Sequence, residues 1–197
     1  MDEQLRIVIA HAADQTREQI RASLRRDWPV VSACGSVAEL MKIAASESPD
    51  LLVTGIHFED GSGIEAAIQI SQSRPIPAVI VTARHSMDLV KEAMRDHVMA
   101  YLIEPVTAED LQASVIVAHS RFSQLRELEE QVGDLRQALG DRKLIERAKG
   151  ILMAAEQMTE DEAFSHLRRE AQNRRAKMVT VADEIIAGAE RAAGQTT

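Results

Sequence analysis

The chain is short of several things at once, and each shortage removes a class of function. A single cysteine, Cys34, in 197 residues can build neither a disulfide framework nor a multi-cysteine metal site; its thiol is expected to be a small, partly buried residue. No apolar run approaches the ~18 residues that cross a bilayer, and the start Met1-Asp2-Glu3-Gln4 is acidic where a secretory signal would be basic. The expected setting is the cytoplasm, with no membrane partner. Positive charge is lacking too, since the net charge is −8, and taken globally this argues against a nucleic-acid binder. The sequence also shows no nucleophile–base pair, no phosphate-binding glycine loop and no metal-ligand set, so neither an enzyme activity nor a cofactor or metal is expected.

What is present is a foldable chain with an uneven charge. An apolar content of 45% is that of a folded protein, and the length suits one ordinary domain with an appendage. Residues 1–123 carry eleven basic against seventeen acidic side chains, whereas 124–197 carry twelve against fourteen. Between Arg142 and Lys177 the balance reverses to nine basic against six acidic, with Arg168, Arg169, Arg174, Arg175 and Lys177 falling within ten positions. Such clustering matters more to a partner than the global sum.

The first 120 residues alternate between strand and helix patterns. Short apolar runs at Leu5–Ala10, Val30–Ala33, Leu51–Thr54, Ala78–Thr82 and Ala100–Ile103 are separated by helical stretches at Thr16–Arg26, Val37–Ser46, Gly63–Ser73, Met87–Asp96 and Ala108–His119. The alternation predicts an α/β domain with a parallel sheet covered by helices on both faces. Five strands in this length suggest the flavodoxin-like doubly wound order, with any functional crevice at the carboxyl ends of the strands.

Residues 5–120 resemble the response-regulator receiver family. The resemblance is carried by Leu5-Arg6-Ile7-Val8-Ile9-Ala10, Pro49-Asp50-Leu51-Leu52-Val53, Asp60-Gly61-Ser62-Gly63-Ile64, Val81-Thr82-Ala83 and Ala100-Tyr101-Leu102-Ile103-Glu104-Pro105. Receivers place an acid pair after the first strand to hold Mg²⁺, a phosphoacceptor aspartate after the third, and a lysine after the fifth. The matching positions here are His11-Ala12, Gly55 and Glu104, and only Thr82 keeps the family residue. Magnesium wants hard oxygen ligands, and phosphoryl transfer needs positive charge around the developing anion. The resemblance therefore implies a receiver fold without a phosphoacceptor, a pseudo-receiver. Asp60 sits beside glycines as a turn residue, and His11 is read as a loop histidine because no second ligand stands at a recognisable spacing. Glu104-Pro105 matches a position where the peptide is often cis in the family, and the sequence leaves both isomers open.

From Leu125 the pattern changes to a heptad. Leu125, Leu128, Val132, Leu135 and Leu139 form a short coiled-coil seam with charged residues between them. A branched residue at an a position with leucines at d favours a parallel pair, though only Val132 of the three a residues is branched. Gly133 and Gly140 fall at b, away from the seam, and each weakens the helix by ~1 kcal/mol relative to alanine. A homodimer through residues 121–141 is the expectation, with a helix lying on its own receiver domain as the alternative. Past Leu139 the stripe slips by about one residue to Leu144, Ile145, Ala148, Ile151, Leu152 and Ala155, a 3.6 period that suits a local bundle. Thr159-Glu160-Asp161-Glu162 reads as a capping box opening a helix with Ala163, Phe164, Leu167 and Ala171 on its buried face. Thr180-Val181-Ala182-Asp183 is read in the same way, opening a helix that buries Val181, Ala182, Ile185, Ile186 and Ala189.

Residues 140–190 resemble the ANTAR domain, the output module of AmiR- and NasR-type regulators. Its carriers are Ile145-Glu146-Arg147-Ala148-Lys149-Gly150-Ile151-Leu152-Met153, Asp161-Glu162-Ala163-Phe164, Leu167-Arg168-Arg169-Glu170-Ala171 and Val181-Ala182-Asp183. The resemblance implies a three-helix module at 142–197 that binds two tandem hairpins in a leader mRNA and prevents a terminator from forming. Proteins read RNA chiefly at loops, where unpaired bases lie on aromatic rings or guanidinium planes. With Phe164 placed in the core, stacking and hydrogen bonding would fall to Arg168, Asn173 and Arg175, with Lys149 and Arg169 on phosphates. A plain solvated basic face is the competing reading of the same residues.

Three functions remain open on the sequence. The first is an RNA-binding transcription antiterminator whose pseudo-receiver, at 1–120, is controlled by a ligand-sensing partner protein, as the resemblance to AmiR-like regulators implies. The others are a regulator responding to phosphorylation by unconventional chemistry, and an interaction scaffold without RNA activity. A dimer would serve the first directly, because two modules joined by a seam engage two hairpins with avidity.

Overall fold

The computed structural model describes residues 5–24, 27–83 and 98–194, so the helix expected at Met87–Asp96 lies outside the described residues. The chain divides into two compact units, Met1–Glu127 and Leu128–Thr197. The first holds β1 (Ile7–Ala10), α1 (Asp14–Leu24), β2 (Val30–Cys34), α2 (Val37–Glu47), β3 (Leu51–Thr54), a two-residue hairpin β4 (His57–Phe58) and β5 (Gly61–Ser62), α3 (Gly63–Ser73), β6 (Ala78–Thr82) and β7 (Val98–Ile103). The helix α4 (Ala108–Glu156) begins in this unit and ends in the second, which adds α5 (Glu160–Asn173) and α6 (Met178–Gly194). No helix among the described residues is long and apolar enough to cross a membrane.

The five longer strands pair in parallel in the order β2-β1-β3-β6-β7. This is the flavodoxin-like doubly wound sheet, and its strands are mostly apolar because both faces are covered. Alternation along each strand divides the core in two. Ile7, Ile9, Leu51, Val53, Val79 and Val81 pack with Ile20 and Leu24 of α1 and with Leu111, Val115 and Ala118 of α4. Val8, Ala10, Leu52 and Ala78 face the other way, onto Leu40 and Ala44 of α2 and Ala66, Ala67 and Ile70 of α3. The small hairpin was not expected from the sequence, and it works as a pair of helix caps. Ser62 at its end accepts from the Glu65 amide to cap α3. Asp60 at its tip accepts from the Val37 and Ala38 amides, 2.9 Å each, at the start of α2. These bonds hold the Asp60 carboxyl below its ordinary pKa. Gly63 is dictated by close approach, since a Cβ there would lie 1.9 Å from the Gly55 carbonyl oxygen.

In the second unit, Ala148 and Leu152 of α4, Ala163, Leu167 and Ala171 of α5, and Val181, Ala182 and Ile186 of α6 close a small core. Thr159 forms the expected capping box with Glu162. Three expectations are corrected. Phe164 is 42% exposed and outside the core, because the Ala163–Leu167–Ala171 spacing centres the buried stripe and Phe164, 100° on from Ala163, falls beyond its edge. Ala155 is exposed as well. Thr180 caps nothing: α6 starts at Met178, with the Lys177 carbonyl accepting from the amides of Thr180 and Val181.

The seam residues of α4 are all exposed among the described residues. Leu128, Leu135 and Leu139 are 57%, 65% and 60% exposed, and Leu125 and Val132 are also exposed.

Candidate nucleic-acid interface and receiver crevice

At the carboxyl end of the sheet the strands place His11 after β1, Gly55 after β3, Thr82 at the end of β6 and Glu104 after β7. His11 Nε2 lies 3.3 Å from Glu104 Oε1, and Thr16 donates its hydroxyl to Glu104 Oε2 at 3.0 Å. His11 Nδ1 lies against the Ala13 backbone, 3.2 Å from its amide and 3.4 Å from its carbonyl oxygen. The Arg17 guanidinium donates to the His11 carbonyl at 2.6 Å. The imidazole is thereby fixed over Gly55, where a Cβ would meet His11 Cδ2 at 2.8 Å. Ala12 offers no ligand atom beside it. The Glu104–Pro105 peptide is cis.

The crevice left by these residues is a cavity of about 280 Å³ lined by His11, Ile56, His57, Val81, Thr82, Ala83 and Glu104. Among the described lining residues the one carboxylate, Glu104, is already bonded to a histidine and a threonine, and none is a lysine. This donor set does not fit Mg²⁺, which asks for several carboxylate and water oxygens in octahedral array. Among the described residues no group of three or more histidine, cysteine or acidic side chains could hold a metal ion. A neighbouring hollow of about 370 Å³ between α1 and the start of α4 shares Glu104 and adds Gln15, Gln19, Ser23 and Leu111.

The basic residues from Arg147 to Lys177 fall into two groups. Three are neutralised: Arg147 by Glu190 at 2.8 Å, Lys149 by Glu160 at 2.7 Å and Glu146 at 2.9 Å, and Arg174 by Glu184 at 2.6 Å. Lys149 is buried between its partners, and its bonds, to Glu160 first and then Glu146, hold its pKa above the usual lysine value. The side chains of Arg168, Arg169, Arg175 and Lys177 enter no ion pair among the described residues. They are exposed on the second half of α5 and the turn after it, with exposed Asn173 between them.

That turn has a defined geometry. The Ala176 amide donates to the Ala171 carbonyl at 2.9 Å and the Arg175 amide to the Gln172 carbonyl at 3.2 Å, the two bonds of a Schellman motif. Its left-handed position, usually glycine, is Arg175 with φ 49°. A strained backbone thus presents a free guanidinium at the helix end. Of the residues read as RNA-contacting from the sequence, Arg168, Arg169, Asn173 and Arg175 come together here. Lys149 does not join them and lies instead near the start of α5, held by Glu160.

A family model described as the response regulator receiver domain matches residues 7–116, and one described as the ANTAR domain matches residues 133–186. The transcriptional regulatory protein PdtaR of Mycobacterium tuberculosis is 35% identical over 182 residues, covering 92% of this chain and 89% of that protein. This chain belongs to the ANTAR response regulators. It is also similar to the nitrate regulatory protein of Klebsiella oxytoca, 38% identical over 63 residues, which are 32% of this chain and 16% of that protein. The receiver fold of this ANTAR regulator matches the solved CheY-like receiver protein of Methanospirillum hungatei, with a TM-score of 0.58 at 19% identity over 62% of this chain and 98% of that one. The family is regulatory rather than catalytic.

Proposed function

We propose that this ANTAR regulator is an RNA-binding transcription antiterminator that binds tandem hairpins in a leader mRNA. The observation that carries the reading is the selective neutralisation in its output unit. Glutamates cover Arg147, Lys149 and Arg174, whereas Arg168, Arg169 and Arg175, with Lys177, have no ion-pair partner among the described residues. A patch of unpaired cations around Asn173 suits phosphates and unpaired bases of a hairpin loop. Lys149 serves in this reading as a tie between α4 and α5, not as a phosphate contact.

The same proposal takes the receiver as a docking domain, occupying 1–120, controlled by a partner protein or ligand sensor in place of aspartyl phosphorylation. His11 seated over Gly55 and bonded to Glu104 supports it, because phosphoacceptor, metal ligands and neutralising lysine are replaced together. The exposed seam of Leu125, Leu128, Val132, Leu135 and Leu139, within 121–141, pairs two copies and places two RNA modules, each spanning 142–197, for two hairpins. The protein acts in the cytoplasm and catalyses no reaction. Two measurements test this. Purified protein is titrated with a tandem-hairpin leader RNA and with duplex DNA at matched salt, where equal affinity would defeat the RNA reading. It is then incubated with acetyl phosphate and Mg²⁺, where covalent labelling would defeat the pseudo-receiver reading.

A further inference from the structure

The output unit, residues 128–197, contains one aromatic residue, Phe164, and leaves it 42% exposed. The buried residues of its core are alanine, leucine, valine and isoleucine, with Met158 and Met178 packed against them. Small bundles are marginal because they bury a modest share of their apolar surface, and this one leaves its phenylalanine outside the core. Arg168 lies one helical turn along the same face, and (i, i+4) side chains have Cβ atoms about 5–6 Å apart. It is exposed and enters no ion pair among the described residues. An apolar ring and an uncovered guanidinium therefore stand side by side on the helix that leads to Asn173 and Arg175.

This pairing selects its occupant. An apolar protein surface would match the ring and strand the guanidinium, and a phosphate alone would match the guanidinium and leave the ring wet. An unpaired nucleotide offers a flat π face and an anion within one residue, and such stacking platforms flanked by cations are how proteins hold single-stranded bases. We propose that Phe164 and Arg168 form a stacking subsite for one unpaired base of the hairpin loop, the ring on the base face and the guanidinium on its phosphate. The proposal rests on the RNA reading above and adds a contact to it that Arg168, Arg169, Asn173 and Arg175 do not supply.

The test uses the full chain and a single-hairpin RNA, so that avidity does not enter, with 2-aminopurine at successive loop positions. Phe164→Leu keeps an apolar helix former and removes the ring, and it should weaken binding about 5- to 150-fold, the value of one stacked base. Phe164→Tyr restores the ring and should bind within about threefold of the parent protein. The slope of log affinity against log salt should be unchanged in Phe164→Leu and shallower in Arg168→Ala, since only the latter loses a phosphate contact. Fluorescence quenching at one loop position should vanish in Phe164→Leu and return in Phe164→Tyr. Undiminished affinity of Phe164→Leu, or failure of Phe164→Tyr to restore it, overturns the subsite. If the parent protein itself prefers duplex DNA to the hairpin, the RNA reading has failed instead, and the two results are separate.

Discussion

Arg175 separates stability from function, and replacing it with glycine should move the two in opposite directions. It occupies the left-handed position of the α5 Schellman turn with φ 49°, and its side chain is exposed and makes no ion pair among the described residues. A left-handed backbone costs a residue with a Cβ roughly 1–2 kcal/mol. Glycine escapes that cost but gives the unfolded chain more freedom, worth about 0.4–1 kcal/mol. The net gain for Arg175→Gly is about 0.5–1 kcal/mol, or about 1–4 °C in Tm for a chain of this size. Loss of a charge-assisted contact worth about 1.5–3 kcal/mol should lower hairpin affinity about 10- to 100-fold. Arg175→Ala is the control: it loses the guanidinium but keeps the strained Cβ, so affinity should fall equally with no rise in Tm. Thermal denaturation beside RNA titration reads both quantities. A glycine variant less stable than the parent refutes the strain argument, and one that binds RNA undiminished refutes the role of Arg175.

Leu128→Lys combined with Leu135→Lys should give monomers by sedimentation that keep their helical signal and lose most affinity for the tandem-hairpin RNA; tight binding by such monomers would contradict the avidity argument. The Asp60 carboxyl, bonded to the Ala38 and Val37 amides, has its pKa depressed on folding, so its stabilisation is present above the unfolded value of about 3.9 and is lost as pH falls through the lower folded value. The gap in denaturant midpoint between parent and Asp60→Asn should thus be open at neutral pH and close below about pH 4; a gap that stays constant into acid would show that the charge has no part in the cap. Burial, with Glu39 nearby, pushes the Cys34 thiol up to about 11, so the folded protein should resist a thiol-reactive dye at pH 8 and react fully once denatured. Immediate reaction of the folded protein would place Cys34 at the surface.

The receiver half was legible because a buried parallel sheet writes itself as apolar runs. Leu51–Thr54, Ala78–Thr82 and the helix Gly63–Ser73 have the boundaries their patterns predict. The hairpin at His57–Ser62 was not, since two-residue strands carry no periodic signal and Asp60 caps α2 from 22 and 23 positions away. In the output unit Thr159 announced its helix through a local capping box, whereas Thr180 imitated one. The true start at Met178 follows from the preceding Schellman turn, which uses an arginine where glycine would have marked it. Lys149 and Arg168 look alike in sequence; what divides them is Glu160 on the next helix, reached across the interhelix loop at a separation of eleven residues. Phe164 was missed by one position, and centring the stripe on Ala163, Leu167 and Ala171 would have placed it at the edge.

The most direct test of the account is the affinity of the full chain for tandem-hairpin leader RNA recovered by crosslinking in its native cell, set against duplex DNA of equal phosphate count at matched salt. It is read with and without prior exposure to acetyl phosphate and Mg²⁺. The account predicts at least about a tenfold preference for the hairpins, ~1.4 kcal/mol, unchanged by the phosphodonor. Equal affinity for the duplex, or hairpin binding that appears only after phosphodonor treatment, would contradict it.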